Sequence, residues 1–168
     1  TIRKAVLFST PLLSLLLLLG SCYYYSTSGS LPPHIKTVAI PLFQNDTLEY
    51  GIDEELTDAV IDAFMADNTL KVVDQRRADC IIMGRIVEVR DDPFTYDEQE
   101  NVQSYKFRLF VNIRCEDLRR HRVLWEEEHL ESWGIYPAPG LPEQREEGIS
   151  MALEKLATDI VNKTVAGW

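Results

Sequence analysis

The chain has 168 residues, of which 17 are Lys or Arg and 27 are Asp or Glu, so its formal net charge is −10 at pH 7. Such acidity excludes broad nucleic-acid binding, because the phosphate backbone of nucleic acids rewards a basic protein face. It also argues against loose electrostatic adhesion to an anionic membrane, so any anionic ligand needs a local basic patch.

The N-terminal segment has the pattern of a bacterial lipoprotein leader. Two cations, Arg3 and Lys4, open it, and the uncharged, Leu-rich run that follows is too short to span a bilayer, which takes about 20 apolar residues. The sequence LGSC at residues 19–22 then resembles the lipobox, where the leader is cleaved and the cysteine is lipidated. We therefore expect a signal peptide over residues 1–21 and a lipid anchor on Cys22.

An ordinary signal peptide or a buried Leu-rich helix is the alternative to this interpretation. Neither alternative explains why a cysteine lies directly after the Leu-rich run. Several acyl chains on one cysteine make a stable anchor, whereas a single chain binds marginally. Because Tyr23 rather than Asp follows the cysteine, the expected location is the outer membrane, with the protein lipid-anchored on its periplasmic side. Residues 22–34, rich in Ser, Gly and Pro, are expected to form a tether.

Residues 35–168 are expected to form one domain. Apolar periodicity predicts strands at 36–43, 70–74, 78–91, 104–117 and 123–136, and helices at 51–68 and 143–165. This order, β-α-β-β-β-β-α, indicates an α+β fold: a single mixed, mainly antiparallel sheet with two helices packed on one face. Strand 104–117 alternates most strictly, which predicts one core face and one face toward water or a partner. The apolar face consists of Tyr105, Phe107, Leu109, Val111, Ile113 and Cys115.

Two cysteines remain in the domain, Cys80 and Cys115. A hairpin that turns near residues 96–99 would place them opposite each other, and an oxidising compartment would permit a disulfide. However, cysteine commonly packs as a small hydrophobe, and a one-residue error in register destroys such a pairing. We expect two buried free thiols, with the disulfide as the alternative.

No pattern of catalytic, cofactor-binding or metal-ligating residues is present in the sequence. It contains no nucleophile elbow, phosphate loop or dinucleotide fingerprint. The three histidines, His34, His121 and His129, lack metal-ligand spacing with one another or with cysteine. The sequence therefore predicts a protein that is not an enzyme and that needs no metal or cofactor.

Positive charge is concentrated in the predicted turn of residues 119–122, which we term the arginine turn. Arg119, Arg120 and Arg122 carry guanidinium forks that suit phosphate or carboxylate, although a solvated turn without a ligand is the simpler interpretation. The weaker candidates of the same kind are Arg76, Arg77, Lys106, Arg108 and Arg114.

Most of the chain after the leader resembles the LptE family of outer-membrane lipopolysaccharide-assembly lipoproteins. The resemblance is carried by CYYYSTSGSLPPHIKTVAIPLFQNDT, YGIDEELTDAVIDAFMADNTLKVVDQRRADCIIMGRIVEV, DPFTYDEQENVQSYKFRLFVNIRCEDL and VLWEEE. It implies a non-enzymatic protein that plugs and helps to assemble the β-barrel inserting lipopolysaccharide into the outer leaflet. The implied partners are that barrel, lipopolysaccharide, and the membrane through the lipid anchor, and Arg119, Arg120 and Arg122 become candidate contacts for lipopolysaccharide phosphates.

Two other functions stay open at this point. The segment VAIPLFQNDT, followed by an acidic helix, also resembles the opening of curli-type secretion lipoproteins, which form ring-shaped export pores. Those proteins are longer and supply extra amphipathic hairpins. A periplasmic adaptor lipoprotein of unknown cargo is the third candidate. Oligomeric state separates the first two, since one predicts a single copy per barrel and the other a homomeric ring.

Overall fold

The computed structural model describes residues 31–166, so the predicted leader and Cys22 lie outside the described residues. The elements, in chain order, are β1 (Thr37–Ala39), β2 (Gln44–Asn45), α1 (Ile52–Asp67), β3 (Lys71–Val72), a 3-10 turn (Gln75–Arg77), β4 (Cys80–Tyr96), β5 (Val102–Asp117), β6 (Arg122–Pro137) and α2 (Pro142–Val165). The six strands form one mixed sheet in the order β3-β1-β4-β5-β6, with β2 paired to β4.

The sheet joins two kinds of pairing. Strand β1 runs parallel to both β3 and β4, and β2 also runs parallel to β4. Strands β4, β5 and β6 form a long antiparallel meander.

The predicted α+β fold with two helices and one mixed sheet is confirmed. The two-residue strand β2 was not predicted, because a strand so short has no periodicity of its own.

Both helices pack on the same face of the sheet, through the apolar stripes that the sequence predicted. The stripe of α1 buries Leu56, Val60 and Phe64, and that of α2 buries Leu156 and others at helical spacing. They meet the core face of β5, on which every second side chain from 107 to 115 is buried. The hydroxyl of Ser132 in β6 donates to the carbonyl of Ala152 at 2.7 Å, which fixes α2 against the sheet edge.

The β4–β5 hairpin is longer than predicted. The sequence predicted that this strand ends at residue 91, but β4 continues to Tyr96 and the turn occupies residues 97–101. Its Asp97 Oδ1 accepts the backbone N–H groups of Gln99 and Asn101 at 2.9 and 2.8 Å. Pro93 is tolerated within β4 because the other edge of the strand is unpaired beyond Ile86, so its missing N–H breaks no ladder bond.

The predicted register of the two cysteines is wrong. Cys115 pairs with Ile82 and Cys80 pairs with Asp117, because the turn lies further along the chain than predicted. The bulge after Ile86 offsets only part of that difference. Both cysteines are buried and free, and both lie on the core face. The hydrogen bond with Cys80, together with burial, raises the pKa of the Cys115 thiol well above its ordinary value.

Candidate functional site

The meander of β4, β5 and β6 turns one face away from both helices, and we term it the open face. Its side chains alternate with the core residues and are mostly half-buried or exposed. Along the strands they are Met83, Arg85, Glu88, Arg90, Asp92, Phe94, Lys106, Arg108, Phe110, Asn112, Arg114, Glu126, Glu131, Trp133 and Ile135. The open face thus mixes charges of both signs with large aromatic rings.

The centre of the open face is a closed network around Phe110. This ring is only 8% exposed, because the guanidinium carbons of Arg90 and Arg108 each lie 5.1 Å from its centroid. Arg108 also donates to Glu131 at 2.8 Å and to Asp92 at 3.3 Å. These hydrogen bonds raise the pKa of Arg108 and lower that of Glu131. Charge here is already neutralised, so the network shapes the face and leaves little attraction for a ligand.

A second cluster, near the edge strand β6, combines two lysines with two aromatic rings, and the charge of Lys106 contributes to the lowered pKa of Glu131. The ammonium of Lys106 lies 4.3 Å from the centroid of Phe94 and 4.7 Å from that of Trp133, and the ammonium of Lys155, from α2, lies 4.1 Å from the same indole. Within residues 31–166, neither lysine forms an ion pair. We term Lys106, Lys155, Trp133 and Phe94 the tryptophan–lysine cluster. Two free ammonium groups beside an exposed indole can bind a phosphate and a neighbouring apolar group.

The arginine turn is held by two buried carboxylates. The guanidinium of Arg119 lies 2.6 Å from Asp79, and that of Arg122 lies 3.9 Å from Asp117. The backbone N–H groups of Arg119 and Arg120 donate to Asp117 Oδ1 at 2.9 and 3.0 Å. Among the described residues, only Arg120 of the three arginines makes no ion pair.

Asp117 and Asp79 ionise despite their burial. Burial opposes the charge on Asp117, but the backbone N–H of Arg120, the ring of His34 and the backbone N–H of Arg119 outweigh it and lower its pKa. Asp79 behaves likewise, because it accepts the backbone N–H of Lys36 and the backbone and hydroxyl groups of Thr37. The two carboxylates therefore anchor the arginine turn as negative charges at neutral pH.

The remaining predicted candidates are partly engaged. Arg114 lies 3.7 Å from Glu116 and 3.8 Å from Glu126, while Arg77 lies 3.6 Å from Asp74. No group of three or more His, Cys, Asp or Glu side chains within residues 31–166 is placed to hold a metal ion. Within the same range, neither helix has the length and hydropathy needed to span a bilayer.

Sequence reasoning missed Trp133 and Lys155. Lys106 was named among the weaker candidates, but its two neighbours come from another strand and from α2. The one available signal was the alternation of side chains along β6, which puts Trp133 on the same face of the sheet as Lys106. In the paired strands, Lys106 and Trp133 are diagonal neighbours. The sequence gives no indication that Lys155, on a helix, contacts the indole of Trp133 at the edge of the sheet.

Two solved structures share this fold with TM-scores near 0.6. Protein XCC0632 from Xanthomonas campestris matches at a TM-score of 0.60 and 12% identity, over 82% of this chain and 90% of that one. The hypothetical protein CT253 from Chlamydia trachomatis matches at 0.58 and 12% identity, over 77% of this chain and 95% of that one.

A minor lipoprotein from Acinetobacter baumannii shares the fold at a TM-score of 0.51 and 14% identity, over 79% of this chain and 94% of that one. Comparison with curated proteins gives no significant match. The sequence model of the LptE family, described as lipopolysaccharide-assembly, matches residues 35–164. Since this match covers the whole α+β domain, from before β1 to the last turn of α2, the chain belongs to the LptE lipopolysaccharide-assembly family.

Proposed function

We propose that this protein is a non-enzymatic outer-membrane lipoprotein, acylated at Cys22, that plugs and helps to assemble the β-barrel translocon for lipopolysaccharide and itself binds lipopolysaccharide. Membership of the LptE family supports the role in lipopolysaccharide assembly. The open face supports the partner, because the interior of a large outer-membrane barrel is polar and hydrated. A sheet face with charges of both signs is complementary to such a wall.

The tryptophan–lysine cluster is the observation that carries lipopolysaccharide binding. Lipid A presents phosphates next to acyl chains, and the cluster presents the ammonium groups of Lys106 and Lys155 next to the indole of Trp133. Even in a chain with net charge −10, these two ammonium groups, neither of which forms an ion pair within residues 31–166, offer an anion positive charge beside an apolar ring. The arginine turn stays a second candidate, chiefly through Arg120, since Arg119 and Arg122 already contact carboxylates.

Binding of lipopolysaccharide to the purified full-length protein tests this proposal. We expect the double variant Lys106→Gln and Lys155→Gln to bind at least tenfold more weakly, because each charge-assisted contact contributes about 1.5–3 kcal/mol. The matched control, Lys71→Gln with Arg85→Gln, removes the same charge from other exposed positions and should stay within twofold of wild type. Unchanged binding by the first variant, with a loss in Arg120→Gln, would transfer the site to the arginine turn.

A further inference from the structure

Positive charge is gathered at one end of the sheet. Strands β1, β3 and β4 are parallel and begin there, while β5 ends and β6 begins there. We term this the basic end, and its exposed cations are Lys36, Lys71, Arg76, Arg77, Arg119, Arg120 and Arg122. Four separate segments of the chain lie at this end: those before β1, at the start of β3 and before β4, and the turn between β5 and β6. Each segment contributes at least one of these cations.

Negative charge is gathered at the opposite end. Asp53, Glu54 and Glu55 occupy the first turn of α1, and Glu143 that of α2, where the helix dipole favours acids. The β4–β5 turn adds further carboxylates at its tip. Arg145, in the first turns of α2, is a cation at this end, and its guanidinium is already bonded to Glu49 and Asp91. The domain is therefore electrically polarised along the strands.

Much of the positive charge at the basic end is free to act on a partner. The acids there are fewer than the cations. Asp79 and Asp117 are buried against Arg119 and Arg122, and Asp74 lies 3.6 Å from Arg77. Asp67, at the end of α1, accepts the backbone N–H of Thr69 at 3.2 Å. Within residues 31–166, the four remaining cations form no ion pair. These four are Lys36, Lys71, Arg76 and Arg120.

The N-terminal segment joins the domain at this same end. His34 Nε2 lies 2.8 Å from Asp117 Oδ2, which also holds the arginine turn. Just before it, Leu31 packs against the core, and the N–H of Ile35 donates to the carbonyl of Pro32 at 2.9 Å. The chain that leads back toward Cys22 thus departs from the basic end.

We propose that, before the protein joins its barrel, the basic end lies against the anionic phospholipid leaflet that carries the anchor. This inference rests on the lipid anchor proposed at Cys22. Eleven residues lie between Cys22 and His34. The twelve Cα–Cα steps reach at most about 40 Å, so covalent attachment alone leaves the orientation of the domain open. Electrostatic attraction acts over about 8 Å at physiological salt. Within that distance an anionic leaflet attracts the basic end of the domain and repels the acidic end. The acidic β4–β5 turn then points away from the membrane.

Energy transfer to labelled lipid tests this orientation with the full-length acylated protein. Vesicles of phosphatidylcholine, with or without 30 mol% phosphatidylglycerol, carry an acceptor dye on a headgroup. A donor dye is attached in separate proteins at Val123→Cys, beside the basic end, or at Gln99→Cys, in the β4–β5 turn, since Cys80 and Cys115 are buried. We expect phosphatidylglycerol to raise transfer from position 123 and lower it from position 99, with the difference disappearing at 0.5 M salt.

Charge variants give the matched control. Replacing Lys36, Lys71, Arg76 and Arg120 with Gln should abolish the effect of phosphatidylglycerol, whereas replacing Arg85, Arg90, Lys106 and Lys155 with Gln should preserve it. An acylated protein without any effect of phosphatidylglycerol would overturn the orientation alone. Intact mass without acyl chains would overturn the proposed anchor and this orientation with it. An effect that requires lipopolysaccharide in place of phosphatidylglycerol would overturn the phospholipid assignment.

Discussion

Gly134 in β6 and Gly148 in α2 approach each other so closely that a Cβ atom on Gly134 would overlap the carbonyl oxygen of Gly148. The obstructing atom belongs to the helix backbone, so it cannot rotate away. We expect Gly134→Ala to lower the free energy of unfolding by about 3 kcal/mol, at the upper end of overpacking effects, as α2 is forced off the sheet. Urea unfolding measures this change.

Gly51→Asn is the matched control for that variant. Gly51 has a φ of 82° and no atom within 4 Å of its missing side chain, and Asn tolerates the left-handed region. We expect a loss below about 1 kcal/mol for it. Equal losses in the two variants would show that backbone conformation, rather than close packing of α2, makes glycine necessary at position 134.

Arg145 joins three separate segments near the start of α2. Its guanidinium donates to Glu49 at 2.9 and 2.8 Å and to Asp91 at 3.1 and 2.9 Å. Asp91 in turn accepts the hydroxyl of Tyr136, and burial together with this bond raises the pKa of Tyr136 to about 12. We expect Arg145→Met to cost about 2 kcal/mol in urea unfolding, because two half-buried carboxylates lose their donor. Lys155→Met, at an exposed position of the same helix, should cost less than about 0.5 kcal/mol.

Acid should weaken the arginine turn. The folded-state pKa values of Asp79 and Asp117 are lowered, so their contribution to stability is complete above the unfolded pKa of about 4 and is lost as pH falls through the folded values. We expect Asp117→Asn to reduce the difference in unfolding free energy between pH 7 and pH 2.5. Denaturant unfolding at both pH values checks this, with exposed Asp58→Asn as control. An unchanged difference in Asp117→Asn would contradict the ionised, hydrogen-bonded state of Asp117.

Thiol titration tests the states of all three cysteines together. Cys80 and Cys115 are buried and free, and the raised pKa of Cys115 suppresses its thiolate. With Cys22 acylated, we expect no reactive thiol in the native full-length protein and two after unfolding. One reactive native thiol would contradict acylation at Cys22, and none after unfolding would indicate a disulfide between Cys80 and Cys115.

The sequence was most informative where one periodicity runs uninterrupted. Strand β5 alternates without a break, so the core positions of Phe107, Leu109 and Val111 were predicted correctly, and so were both helix stripes. Prediction failed at the β4–β5 hairpin, because the position of its turn and an edge position that tolerates Pro93 depend on which strands pair. Both are properties of the assembled sheet.

The candidate site was predictable only in part. The positive charge of the arginine turn can be predicted from the sequence. Its neutralisation by Asp79 and Asp117 cannot, because it depends on contacts with the start of β4 and the end of β5. The tryptophan–lysine cluster is harder still to foresee, because Lys155 reaches Trp133 from another element. The two candidate sites both carry positive charge. They differ in their tertiary neighbours, because carboxylates pair with Arg119 and Arg122, whereas Lys106 and Lys155 form no ion pair within residues 31–166.

Site-specific photocrosslinking in native outer membranes tests most directly the claim that the open face contacts the translocon barrel. Two methionines make matched positions for the crosslinker: Met83 lies on the open face and is 37% exposed, while Met65 lies on α1 and is 64% exposed. The account predicts that position 83 crosslinks to the lipopolysaccharide-transport barrel protein, identified by mass spectrometry, and that position 65 does not. Crosslinks from position 83 only to other copies of this chain, or crosslinks to the barrel only from position 65, would contradict it.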